Sequence, residues 1–112
     1  MSKRGEVWWA NFPTTSPRPH PVVLLSWDAA FDFRDQITVA QVTTTVRGLD
    51  AEVQLDKKDG LLRPCVVNLD AVATISRRLL VEKLCSLPPA RVRDIERAIH
   101  IALGMRLPCT LK

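Results

Sequence analysis

The chain has 112 residues, 46% of them apolar and 25% charged, with a formal net charge of +4. That suffices for a single domain, residues 1–112, with a genuine core, and is too little for two ordinary domains. No segment offers the roughly 18 consecutive apolar residues of a membrane span, and the start, MSKRGEVWW, has a basic pair without an apolar run behind it. A soluble protein resident in the cytoplasm, with no membrane partner, is therefore expected.

Taken in order, GEVWWANF is rich in aromatic and β-branched residues and predicts a first strand over Glu6 to Phe12, ended by Pro13. PVVLLS, Pro21 to Ser26, is too short and too continuously apolar for a surface helix and predicts a strand buried on both faces. QITVAQVTTTV alternates, with Ile37, Val39, Gln41, Thr43 and Thr45 on one side and Thr38, Ala40, Val42 and Thr44 on the other. Its far end changes from apolar to hydroxyl-bearing.

AEVQLD predicts a half-exposed strand, Ala51, Val53 and Leu55 inward, with KKDG as the turn after it. PCVVNLDAVATI reads as one long strand with a bend or as two short ones, and LLVEKLCSL is ambiguous between strand and helix. The period then changes. In PPARVRDIERAIHIALG, Val92, Ile95, Ala98, Ile99, Ala102 and Leu103 fall on one helical stripe, with Pro88 and Pro89 suited to its start and Gly104 to its C-terminal cap. Five to seven strands and one closing helix, without βαβ alternation, predict a mainly β fold: a small antiparallel barrel with a C-terminal helix. The end, residues 104–112, reads as a tail that is loosely ordered or partner-bound.

Charge is uneven: residues 1–56 carry five Lys or Arg against seven Asp or Glu, and residues 57–112 eleven against five. A basic half fits a polyanion or an acidic protein partner, and equally a solvated helix face. Cys65, Cys85 and Cys109 are far apart and outside any CxxC spacing, which argues against a disulfide framework or a zinc site. No phosphate loop, GxSxG, HExxH or cluster at metal-ligand spacing occurs, so chemistry without a metal or cofactor, or pure binding, is expected.

His100 lies within the helical stripe and reads as structural. His20 is different: in SPRPHPVV, Arg18 and His20 each precede a proline, which favours extended backbone and places them two apart on one side. A guanidinium binds phosphate bidentately, and an ordinary imidazole exchanges protons near neutral pH, a pairing suited to a phosphodiester. Two solvated loop residues beside a strand fit the spacing as well. Thr43 to Thr45 either favour a strand or hold a phosphate oxygen. Asp70, between apolar runs, calls for a partner such as Arg18 or Arg47 if it is buried, in an ion pair or a catalytic role. Trp8, Trp9 and Trp27 fit base stacking or core filling.

Together, KRGEVWWANF, PVVLLS, VAQVTTT, DGLLRPCVVNLDAVATI and LPPARVRDIERAIHIALG, in this order and spacing, resemble the MazF/PemK family of toxin endoribonucleases from Arg4 to Gly104. The resemblance implies an SH3-like or CcdB-like β-barrel, usually a homodimer, that cleaves single-stranded RNA without a metal and is held in check by a cognate antitoxin, expected here to be acidic. It places Thr43 at the family's active-centre threonine or serine, and Asp70 and Asn68 at positions where members carry an acidic residue and an arginine. With His20 and Arg18 these make the candidate catalytic set His20, Thr43, Arg18 and Asp70, with Arg47, Thr44, Asn68 and Trp27 as candidate RNA contacts. Two departures stand out. His20 occupies the place of the arginine that usually precedes this proline, and PTTSP is shorter than the usual glycine-rich loop. A non-enzymatic gyrase poison like CcdB and a non-cleaving nucleic-acid-binding barrel are the competing expectations.

Overall fold

Alternation in the sequence becomes strands in the structure, a computed structural model that describes residues 3–12 and 18–106. The strands are β1 (Glu6–Ala10), β2 (His20–Leu24), β3 (Gln36–Thr43), β4 (Glu52–Leu55), β5 (Cys65–Ser76) and β6 (Leu80–Ser86). The helices are α1 (Ala30–Phe33) and α2 (Pro89–Ala102). The strands form one antiparallel sheet in the order β4-β5-β3-β2-β1-β6. The mainly β architecture with a C-terminal helix stands as expected. Hydrogen bonding does not close it into a barrel, however: among the described residues β4 and β6 are free edges, and the turn after β4 instead packs on Cys85 of β6.

The unbroken apolar run of β2 has a direct cause. Val22 and Leu24 enter one core cluster with Phe31, Ile37 and Val39, while Val23 and the following Leu25 enter a second with Val42, Val67 and Ile95. Successive strand residues point to opposite faces, so a strand between two cores must be apolar throughout. Each such side chain, fully buried, contributes about 1.5–3 kcal/mol. β4 follows its alternation, with Ala51 beside it and its own Val53 and Leu55 buried.

β5 is one strand, not two, and the bend is a bulge. Ala40 of β3 pairs with Val72 and the next residue, Gln41, with Asn68, so β5 spends extra residues at Leu69 to Ala71. The ambiguous LLVEKLCSL resolves as β6, paired with β1. The short α1 was not expected, because four residues cannot display a helical period; Phe31 anchors it in the core.

α2 places Ile95 and Ala98 in the core with Val92, Ile99 and Ala102 packed against it. Leu103, expected on the same stripe, is 67% exposed, because the helix ends at Ala102 and Leu103 is its C-cap. Gly104 then turns the chain at φ +68, as a C-terminal cap requires. The Met105 N–H still donates to the His100 carbonyl at 2.8 Å. The rest of the expected tail, with Cys109, and the PTTSP loop lie outside the described residues. Among the described residues no helix is long and apolar enough to cross a membrane.

Candidate active site

Pro21 and Val22 of β2 run beside Trp9 and Trp8 of β1, and His20, at the start of β2, pairs with Ala10. On the other side Leu24 pairs with Val39, Val23 with Ala40 and Val22 with Gln41. Two residues further along this register, beyond the last paired rung, His20 comes alongside Thr43. Residues opposite one another in an antiparallel pair share a face, so His20, Gln41 and Thr43 project to one side at the ends of β2 and β3. The Phe12 ring flanks the imidazole, with centroids 6.4 Å apart and planes tilted by 44°.

The two residues also border a cavity of about 380 Å³, together with Trp9, Gln41, Thr44 and Arg63. Its walls are otherwise apolar: Pro21, Val42, Leu61, Leu62, Cys65 and Leu84. Both faces of the sheet contribute, which places the cavity at the strand ends. The Thr43 hydroxyl accepts the Thr45 N–H at 3.1 Å, turning the chain out of β3 and leaving Thr44 exposed. Beyond it, the Glu52 carboxylate accepts the N–H groups of Arg47, Gly48 and Leu49 at 3.0–3.2 Å, fixing the loop that leads into β4.

The opposite rim, Leu61 to Arg63, is fixed from below. Asp56 accepts the Lys58 N–H at 2.9 Å and Asp59 the Asp56 N–H at 3.1 Å, reciprocal caps on the turn Lys57–Asp59. Arg91 of α2 lies 3.3 Å from the buried Asp59 carboxylate. Burial, reinforced by the Asp59 carboxylate, pushes the Cys65 and Cys85 thiols up, so neither is a ready thiolate. Among the described residues no three His, Cys, Asp or Glu side chains are grouped to hold a metal ion.

The expected site residues thus divide. His20, Thr43 and Thr44 come together at the cavity. Arg18, two residues before His20, is exposed. Arg47 lies in the loop tied by Glu52 and does not line the cavity. Asp70 is exposed on the β5 bulge, so the burial that would demand an ion pair is not there. Asn68 is buried opposite Gln41, its Oδ1 accepting the Asp70 N–H at 2.9 Å. Trp27 lies past the far end of β2, its ring edge-on to Phe33 at 5.9 Å. Trp9, weighed in the sequence for base stacking or core filling, lines the cavity, and Gln41 and Arg63 were missed. The available signal was Arg63-Pro64, which repeats the arginine-before-proline pattern of Arg18-Pro19.

Residues 3–103 match the family described as "PemK-like, MazF-like toxin of type II toxin-antitoxin system", and the chain belongs to that family. It is 43% identical over 104 residues to "Probable endoribonuclease MazF5" of Mycobacterium tuberculosis, covering 92% of this chain and 94% of that one. Among solved structures, the Mycobacterium tuberculosis toxin MazF-mt6 superposes with a TM-score of 0.83 at 29% identity, over 91% of this chain and 99% of the other. An endoribonuclease in complex with its cognate antitoxin, from a mycobacterial species, gives 0.84 at 25% identity, over 96% and 100% of the two chains.

Proposed function

We propose that this protein is the toxin of a type II toxin-antitoxin pair, a cytoplasmic endoribonuclease that cuts single-stranded RNA at a preferred sequence and so arrests translation and growth. The observation that carries the reading is the placement of His20 alongside Thr43 at a partly apolar cavity, in a chain whose relatives are named endoribonucleases. Those names favour cleavage over a gyrase poison or a non-cleaving RNA-binding barrel.

The chemistry proposed is attack by a ribose 2′-hydroxyl on the adjacent phosphorus. The O2′–P bond forms, the P–O5′ bond breaks, and the products are a 2′,3′-cyclic phosphate and a 5′-hydroxyl. The 2′-hydroxyl gives up its proton and the departing 5′-oxygen gains one. His20 moves a proton, Thr43 holds a non-bridging oxygen, and Arg18 offsets the charge that develops on the phosphorane. Thr44, exposed beside Thr43, contacts the RNA backbone. No metal is required for these steps.

A homodimer is proposed because large apolar side chains remain in solvent on this single copy, among them Phe33 at 64% exposure and Val81 at 57%. An acidic antitoxin segment that folds across the site and excludes RNA suits the positive charge of the second half of the chain. Sedimentation showing only monomer at micromolar concentration would remove the dimer. The proposed function is tested by incubating the purified protein with a long single-stranded RNA in excess EDTA, mapping the cuts and identifying their ends. Cuts at one short sequence with cyclic-phosphate and 5′-hydroxyl ends are expected. Intact RNA, or cleavage that EDTA abolishes and magnesium restores, would refute this reading.

A further inference from the structure

The cavity beside the His20 and Thr43 pair has features that the chemistry above does not use. Trp8 and Trp9 are neighbours in β1 with opposite fates. The Trp8 indole donates to Glu6 Oε1 at 2.9 Å and packs on the core, whereas no described residue hydrogen-bonds the indole N–H of the half-buried Trp9, which faces the cavity. Across the opening, Leu62 is left in solvent at the rim. The guanidinium of Arg63, next to it, has no hydrogen-bond or ion-pair partner among the described residues. An apolar slot with one aromatic wall, a charged rim and a direct connection to Thr43 and Thr44 has the attributes of a nucleotide pocket. An aromatic face stacks any base, and a guanidinium matches a phosphate.

We infer that this cavity is a nucleotide subsite of the enzyme, in which Trp9 stacks the base of one RNA residue flanking the cleaved bond and Arg63 binds that residue's phosphate. The inference rests on the RNA substrate proposed above. It adds a phosphate-binding cation from the β4–β5 connection to the Arg18 of the proposed chemistry. The cavity volume of about 380 Å³ lies near the lower end of the range for small-ligand sites, suited to one base rather than a run of them. Charge complementarity points to the occupant. A bare guanidinium at an apolar mouth fits a phosphodiester better than a second copy of this basic chain.

The test uses the full-length protein and a single-stranded oligoribonucleotide that carries its cleavage sequence, with 2′-deoxyribose at the cut nucleotide so that binding occurs without reaction. The probe should quench tryptophan fluorescence. Trp9→Phe, which keeps a stacking ring, should bind normally with most of the quench lost, while Trp27→Phe keeps it. Trp9→Leu should weaken binding roughly 5- to 150-fold, the range for one stacked base. Arg63→Ala should reduce the slope of log affinity against log salt by about 0.7, one phosphate contact on a single strand, and Arg63→Lys should restore it. Unchanged quenching in Trp9→Phe, an unchanged salt slope in Arg63→Ala, or conversion of a dimer to monomer by Trp9→Leu would overturn the assignment. A wild type that leaves a long all-ribose single strand intact, yet binds it with quenching that Trp9→Phe abolishes, would refute the proposed cleavage and support the subsite.

Discussion

Gly60 and Cys85 bring the two open edges of the sheet together: a Cβ built on Gly60 would lie 2.7 Å from the Cys85 Cβ, closer than such atoms approach. Gly60 also has a φ of +102, where L side chains are strained. Gly60→Ala should therefore lower stability by more than the roughly 1–3 kcal/mol of a strained backbone position alone. It should also shift the rim from Leu61 to Arg63 and weaken RNA binding. Gly104→Ala isolates the backbone part, since Gly104 has φ +68 and no atom of the described residues lies within 4 Å of the added carbon. Urea denaturation of both variants checks this. Equal losses would mean that the Gly60–Cys85 contact contributes nothing.

Strand positions were legible in the sequence because burial imposes a period of two, and Ala51, Val53 and Leu55 show it without interruption. The closing helix was equally clear from Pro89 to its glycine cap. What the sequence does not carry is long-range pairing. The Ala40–Val72 and Gln41–Asn68 registers, which make the β5 bulge, depend on residues about thirty apart, and no local pattern encodes them. For the same reason Asp70 read as a buried carboxylate: it stands between apolar runs, but the bulge turns it to solvent. His20 and Thr43 were singled out from their chemistry and placed in one site by the resemblance, and the register of β2 with β3 accounts for their proximity. Arg63 escaped because it reaches the cavity from a different connection, more than forty residues from His20.

His20 is the residue on which the proposed chemistry turns. His20→Ala should slow cleavage about 10²- to 10⁴-fold under single-turnover conditions, the ordinary worth of a general acid or base, while RNA binding is largely kept. His20→Arg, which places there the arginine that the resemblance implies, should recover part of the lost rate. Full activity of His20→Ala would transfer the proton-moving role elsewhere, with Arg18 the first candidate.

Thr43 has two tasks, one of them structural. Its hydroxyl accepts the Thr45 N–H at 3.1 Å, a bond with a net worth of about 0.5–1.5 kcal/mol. Thr43→Ala should cost stability of that order and slow cleavage less than His20→Ala does. Thr43→Ser keeps the oxygen and should retain most of both properties. Rates and urea midpoints for the two variants separate the tasks. A serine variant as impaired as the alanine one would show that the methyl group, not the hydroxyl, matters.

Glu6 predicts how the fold responds to acid. Burial pushes its carboxyl pKa up, but hydrogen bonds from the Trp8 indole, Lys83 and the Lys3 backbone outweigh that effect and hold it below the ordinary value of 4.5. The Trp8 and Lys83 bonds measure 2.9 and 3.2 Å. A carboxyl that is more acidic in the folded state stabilises the fold fully above its unfolded pKa, and that contribution disappears as pH falls through the folded value. The wild type should therefore lose stability between about pH 5 and the acid side of the carboxylate range, as expected for a depressed carboxyl. Glu6→Gln should be less stable at pH 7 by about 1.5–3 kcal/mol, the usual range for hydrogen bonds to a charged group. Its deficit should narrow steadily as the solution is acidified, because both proteins then carry a neutral side chain at this position. Denaturant midpoints taken from pH 7 to pH 3 measure this directly. Two curves that stay parallel over the whole range would show that the Glu6 charge contributes nothing to joining β1 to β6.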